Sequence, residues 1–178
     1  LFGLSARRVL DIGCSYGEHM VHFGTGSVGL TVLAREAEYA RGKNLDVRVC
    51  DVDRGEFAGV GAFDAVFCNN LLEHLKSPHE FLLRVKKLLR PAGILIVGVP
   101  CIPRFGALVR FKKFRGSMAE SHINFFTRDT LAKTVERGGW RVLAVRGFHF
   151  KTAFFDALLT PLYPHFYVIA VPAADRTH

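Results

Sequence analysis

Short apolar runs recur along the chain, and between them the apolar spacing widens from nearly every residue to every third or fourth. The runs lie at Arg8–Ile12, Val28–Leu33, Val47–Cys50, Ala62–Cys68, Gly93–Val99, Trp140–Val145 and His165–Val171. The early ones are almost continuously hydrophobic, as parallel strands covered on both faces are. The stretch Pro78 to Arg90 predicts a helix, with Phe81, Leu82, Val85, Leu88 and Leu89 on one stripe. Its basic residues, Arg84, Lys86, Lys87 and Arg90, fall largely away from that stripe. Ser77 stands at its N-cap, Pro78 suits its first position, Glu80 completes a capping box, and Pro91 and Gly93 end it. A second helix opens at Thr127 and stops at Gly138-Gly139. Repeated strand–helix–strand units predict an α/β fold, a doubly wound sheet that binds ligands beyond the carboxyl ends of its strands. The first of those ends is Asp11 to Gly17.

Composition narrows the class. With 178 residues, 49% hydrophobic and 22% charged, residues 1–178 read as one globular domain. The chain opens on Leu1 and almost nothing precedes the first strand, so an N-terminal segment is expected to be missing. No stretch resembles a signal peptide, and the apolar run Leu158 to Pro172 is too short and too interrupted to span a bilayer. Cys14, Cys50, Cys68 and Cys101 fall at or just past strand ends, too far apart in sequence for a zinc knuckle. They are expected as small buried residues of a reducing compartment, which makes the reading cytoplasmic. The net charge of +8 is uneven: no acidic residue lies between Glu80 and Glu120, a stretch rich in Lys and Arg. That asymmetry points to anionic partners.

The loop at the end of the first strand, VLDIGCSYG, admits three chemistries. Gly13 to Gly17 matches G-x-S-x-G, the nucleophile elbow of serine hydrolases. An elbow needs strands and an oxyanion loop before it, and neither precedes Val9. A dinucleotide site needs G-x-G-x-x-G; counting from Gly13 this chain offers Ser15 and then Glu18, an anion where the pyrophosphate belongs. S-adenosylmethionine carries no phosphate and is cationic at its sulfonium and ammonium groups. For that cofactor Gly13, Ser15 and Gly17 need only allow close backbone approach.

Four further segments extend this reading. They are CDVD around Asp51, FDAVFCNNLLEHL from Phe63 to Leu75, LLRPAGILIVGVP from Leu88 to Pro100, and SHINFFTRDTLAKTVERGGW from Ser121. With VLDIGCSYG they resemble, in order and spacing, the class I S-adenosylmethionine-dependent methyltransferases, within the group related to ubiquinone-pathway O-methyltransferases and small-molecule type 11 enzymes. The resemblance covers about Val9 to Val145. It implies a Rossmann-like seven-stranded sheet in the order 3-2-1-4-5-7-6, with the last strand antiparallel. It implies cofactor contacts from Asp11, Gly13, Cys14, Ser15, Tyr16 and Gly17, from Asp51 (to the adenine amino group) and Val52, and from the backbone of Asn69. Thr31 stands where the family usually carries an acid for the ribose hydroxyls, and Glu36 could reach the ribose instead. Enzymes resembling the cyclopropane-forming mycolic acid methyltransferases combine such a threonine with a glutamine near the Glu36 position. Ala92 replaces a usual glycine.

Methyl transfer needs the acceptor positioned and, where protonated, relieved of its proton. His122 is the first candidate base and His74 the second. Glu73 with His74 is a poor metal site on its own, so no metal is expected. The stretch from Cys101 to Ser121 alternates Phe and other apolar residues with basic ones. It suggests a small-molecule or lipid-linked acceptor, anionic and partly apolar, with peripheral membrane contact; RNA is the less favoured partner. Seven aromatic residues from Phe148 to Tyr167 are expected in a core or a dimer face. The rival reading is a non-catalytic cofactor-binding or scaffold protein of the same fold.

Overall fold

The computed structural model describes residues 2–54, 57, 59–103, 116–147 and 163–174. Its centre is a seven-stranded sheet in the order β3-β2-β1-β4-β5-β7-β6. The strands are β1 (Val9–Ile12), β2 (Val28–Thr31), β3 (Val47–Val49), β4 (Phe63–Asn69), β5 (Leu89–Pro100), β6 (Trp140–Arg146) and β7 (His165–Pro172). β7 runs antiparallel to both neighbours, and β1 to β5 are mutually parallel. Strand order reverses between β1 and β4, so their carboxyl ends open the crevice in which doubly wound sheets bind ligands.

The helices are α1 (Ala34–Arg41), α2 (Pro78–Lys86) and α3 (Arg128–Arg137). On one face of the sheet α2 and α3 bury Phe81, Leu82, Val85, Leu131 and Val135 against Phe63, Val66, Leu95 and Val97. Trp140 joins this core and donates its indole N–H to the Leu82 carbonyl (3.1 Å). The opposite face buries Leu4, Val9, Ala65, Phe67 and Ile96. Ser77 caps α2 by accepting from the Glu80 N–H (3.4 Å), and the reciprocal capping box is found at Thr127–Thr130 on α3.

The largest departure from the expected boundaries lies between α2 and β5. α2 ends at Lys86, not Arg90, and β5 begins at Leu89, not Gly93. Leu89 pairs with Phe63, and the next register pair is Ala65 with Ile94, so Arg90 to Gly93 bulge opposite Asp64. Arg90 closes the bulge with an ion pair to Asp64 (2.8 Å), and Ala92 turns it with φ +62°. Leu88 and Leu89 continue the helical stripe in sequence, but Leu88 lies in the turn after α2 and Leu89 opens β5.

All four cysteines are free; Cys14, Cys68 and Cys101 are buried, and Cys50 is half-buried. Tyr163 and Phe166 are buried in the core, as expected. The basic segment from 104 to 115 and the aromatic residues Phe148, Phe150, Phe154 and Phe155 lie outside the described residues. Among the described residues no helix is long and apolar enough to cross a membrane.

Candidate functional site

The turn after β1 is made by residues in left-handed backbone conformations. Gly13 and Gly17 have φ +80° and Ser15 has φ +49°. The Gly13 and Cys14 N–H groups both donate to the Leu30 carbonyl (2.8 and 3.0 Å), tying the turn to β2. A Cβ at Gly13 would stand 3.3 Å from the Leu71 side chain, so the close approach of these two segments favours glycine. Ser15 is uncommon at positive φ. Its hydroxyl donates to Glu36 Oε1 (3.3 Å), and no histidine is bonded to it among the described residues. That contact is not the serine–histidine pairing of a nucleophile elbow.

Glu36, in the first turn of α1, also reaches the end of β2. The Thr31 hydroxyl donates to Glu36 Oε2 (2.5 Å), so one carboxylate is held between Thr31 and Ser15. Beyond β3, Asp51 accepts from the Asp53 N–H (3.1 Å) and pairs with Arg54 (3.3 Å). This segment is fastened from the α2 side. Arg84 donates to the Val52 carbonyl (2.7 Å), and the Lys76 N–H donates to the Asp53 carboxylate (3.1 Å).

These pieces enclose one cleft of about 370 Å³. Its lining includes Gly13 and Ser15, Thr31 and Glu36, Cys50 to Asp53, and Leu71 with His74. The volume lies within the roughly 300–1,000 Å³ of small-molecule sites.

Five other residues expected at the cofactor, Asp11, Cys14, Tyr16, Gly17 and Asn69, are not in the lining of this cleft. Tyr16 and Gly17 line a separate groove with Tyr39 and Lys43, where the Tyr16 and Tyr39 rings meet edge to face at 5.3 Å. Cys14 is buried behind the turn against Met20. Asp11 is buried, with its Oδ2 unpartnered, and burial raises its carboxyl to about 7. Asn69 ends β4 with its Oδ1 buried and unpartnered.

Glu73, His74 and His122 come together on the β4 side. The chain after the undescribed segment folds back onto the Leu72–His74 turn. The Ile123 and Asn124 N–H groups donate to the Glu73 carbonyl (2.9 and 3.0 Å), and Asn124 Nδ2 donates to Leu72 and Leu75 carbonyls. The His74 and His122 rings then meet edge to face at 4.7 Å. His74 Nδ1 lies 3.0 Å from the Ser121 carbonyl, which only accepts, so Nδ1 carries the hydrogen and Nε2 keeps its lone pair. The Glu73 carboxylate is buried with both oxygens unpartnered, and burial raises it to about 7. His122 is lowered by burial and then by His74. Donor atoms of the three residues lie within 4.8 Å of one another, a set whose chemistry also suits a divalent ion. In sequence Glu73 and His74 are only a lone pair. His122 joins them only through the fold.

Residues 2–145 match a family described as a methyltransferase domain. The chain belongs to this family. Among curated relatives, it is 32% identical over 100 residues to the ubiquinone biosynthesis O-methyltransferase of Erwinia tasmaniensis, covering 51% of this chain and 41% of that protein. It is 32% identical over 103 residues to the Xanthomonas oryzae protein of the same name, covering 53% and 43%. The matches thus span less than half of the relatives' own length. A Mesorhizobium loti S-adenosylmethionine-dependent methyltransferase superposes with TM-score 0.69 at 17% identity, covering 94% of this chain and 91% of its own. A Haloferax volcanii methyltransferase, solved with the Trm112 activator, superposes with TM-score 0.72 at 15% identity, covering 96% and 84%. The sheet order is that of the methyltransferase fold, and the cofactor of the family is S-adenosylmethionine. The cleft fits that cofactor. It offers a glycine turn for close approach, hydroxyl and carboxylate groups rather than a phosphate cradle, and Asp51 in the same lining.

Proposed function

We propose that this methyltransferase domain moves a methyl group from S-adenosylmethionine to an oxygen of a small-molecule or lipid-linked acceptor. One observation carries the reading: the Gly13–Ser15 turn, the Thr31–Glu36 pair and Asp51–Val52 share a single cleft. When bound, the cofactor supplies an electrophilic methyl group on sulfur and leaves as a neutral thioether. Glu36 takes the ribose hydroxyls in place of the acid that Thr31 replaces. Asp51 accepts from the adenine amino group, and Val52, tied to Arg84, gives the ring a fixed edge. Gly13, Ser15 and the Asn69 backbone border the methionine part. Such anchoring is what an in-line displacement requires, because alignment of the reacting atoms lowers its barrier.

The acceptor's proton passes to an imidazole. His74 lines the cleft and its Nδ1 is engaged by the Ser121 carbonyl, which leaves Nε2 to accept and supports it above His122, the first choice from sequence. His122, lowered by burial, is neutral near pH 7 and stands beside it. The names of the curated relatives support an oxygen acceptor, and the basic stretch around Arg104 to Arg115 supports an anionic or membrane-proximal one. Nucleic acid is not favoured. A purely cofactor-binding role drew on the loss of the acid at Thr31, and the Glu36 carboxylate beside it weakens that argument.

Transfer of a tritiated methyl group into polar and lipid extracts tests the reading. Label should enter an acceptor with the intact chain and fall at least tenfold in His74→Ala. Cofactor binding without label transfer to any pool would favour the scaffold reading. An unchanged rate in His74→Ala would remove that residue as base.

A further inference from the structure

β4 and β7 are joined by a side-chain pair across the end of β5. Because β7 is antiparallel, it begins where the parallel strands end, and its first residue, His165, pairs with Pro100. Asn70 directly follows β4 and is held at φ +53°, a conformation uncommon for a residue with a side chain. Its N–H donates to the Gly98 carbonyl (2.8 Å), and its side-chain Oδ1 lies 3.0 Å from His165 Nε2. An amide oxygen only accepts, so His165 Nε2 carries the hydrogen and donates it. Burial lowers His165 to about 4, which leaves the ring neutral near pH 7.

That bond decides how Asn70 faces solvent. With Oδ1 engaged, the two Nδ2 hydrogens have no acceptor among the described residues, and Asn70 is exposed at the edge of the sheet that carries the cleft. On one side, Leu71 and His74 line the cofactor cleft. On the other, the His165 ring meets Tyr167 at 4.8 Å, and Tyr167 stacks on Phe67 at 6.3 Å. Gly98 keeps this end closed, since a Cβ there would stand 2.6 Å from Asn69 Oδ1 and against the Tyr167 ring.

We propose that Asn70 contacts the methyl acceptor, its Nδ2 hydrogens donating to an oxygen lone pair, and that His165 is the positioning residue that fixes the amide in that orientation. The pair selects acceptors bearing phenolic, carbonyl or carboxylate oxygen over protonated amines, which offer no lone pair. This inference rests on the methyltransferase reading.

The test uses the intact chain saturated with S-adenosylhomocysteine and three matched probes: phenol, benzoate and benzylamine. Ligand-observed magnetic resonance should detect phenol or benzoate and not benzylamine. Asn70→Ala should weaken the bound probe roughly five- to ten-fold, the loss of one hydrogen bond, with cofactor-product affinity unchanged. His165→Phe should do the same, and His165→Gln, whose amide N–H can donate to Asn70, should restore binding. Nitrogen-15 spectra should show the Nε2–H tautomer of His165 at pH 7. Equal binding in Asn70→Ala, preference for benzylamine, no binding of either oxygen-bearing probe, no rescue by glutamine, or an Nδ1–H tautomer would each overturn the inference. Failure of the unaltered chain to bind S-adenosylhomocysteine would instead overturn the cofactor reading, and this inference with it.

Discussion

The Thr31 hydroxyl donates to Glu36 Oε2 while the Ser15 hydroxyl donates to Oε1 of the same carboxylate. A carboxylate from the first turn of α1 is thus held at the end of β2, where Thr31 stands. Glu36→Ala should weaken S-adenosylhomocysteine binding by roughly ten-fold or more, the scale of a charge-assisted hydrogen bond. Thr31→Asp alone should also weaken it, because two carboxylates would then crowd one site. Adding Glu36→Gln to Thr31→Asp should restore affinity. Calorimetry on the four proteins checks this, and additive losses in the double variant would contradict it.

Much of the fold was legible because parallel strands buried on both faces leave nearly unbroken apolar runs such as Val9–Ile12 and Ala65–Cys68. The start of β5 was not. Leu88 and Leu89 extend the α2 stripe in sequence, and only pairing of Leu89 with Phe63 reveals the strand. Of the residues expected at the site, Gly13, Ser15, Thr31, Glu36, Asp51, Val52 and His74 line one cleft. Tyr16 and Gly17 belonged to the same motif, yet the turn carries them into another groove. Asn70 and His165 lay beyond sequence reasoning, since 95 residues separate them and only the insertion of β7 beside β5 brings them together.

Asp11 should make stability fall as pH rises. Burial raises its folded-state carboxyl from 3.8 to about 7, so the folded protein binds a proton that the unfolded chain has released. The Asp11 contribution is therefore greatest below about pH 4, declines towards pH 7 and levels above it, while His165, lowered to about 4, acts in the opposite sense between about pH 4 and 6.5. Glu73, also raised to about 7, adds to the same window. Asp11→Asn should melt above the unaltered chain at pH 8 and close to it at pH 4, with a shallower slope between. Parallel melting curves across that range would count against a buried, unpartnered acid.

Ala92 turns the β5 bulge at φ +62°, where a side chain costs roughly 1–2 kcal/mol. Glycine pays part of that back in unfolded-state entropy. Ala92→Gly should therefore stabilise by about 0.5–1 kcal/mol and raise the melting temperature by roughly 1–4 °C. Thermal denaturation decides it, and a lower melting temperature would mean that the bulge does not hold Ala92 in the left-handed region.

Titration calorimetry with S-adenosylhomocysteine shows whether the cleft lined by the Gly13 turn and Asp51 binds the cofactor. The unaltered chain should bind with a single class of site, and Asp51→Ala should weaken binding roughly ten-fold or more while leaving the melting temperature nearly unchanged, because the exposed Asp51–Arg54 pair adds little stability. Absence of binding by the unaltered chain, or equal affinity in Asp51→Ala, would contradict the account.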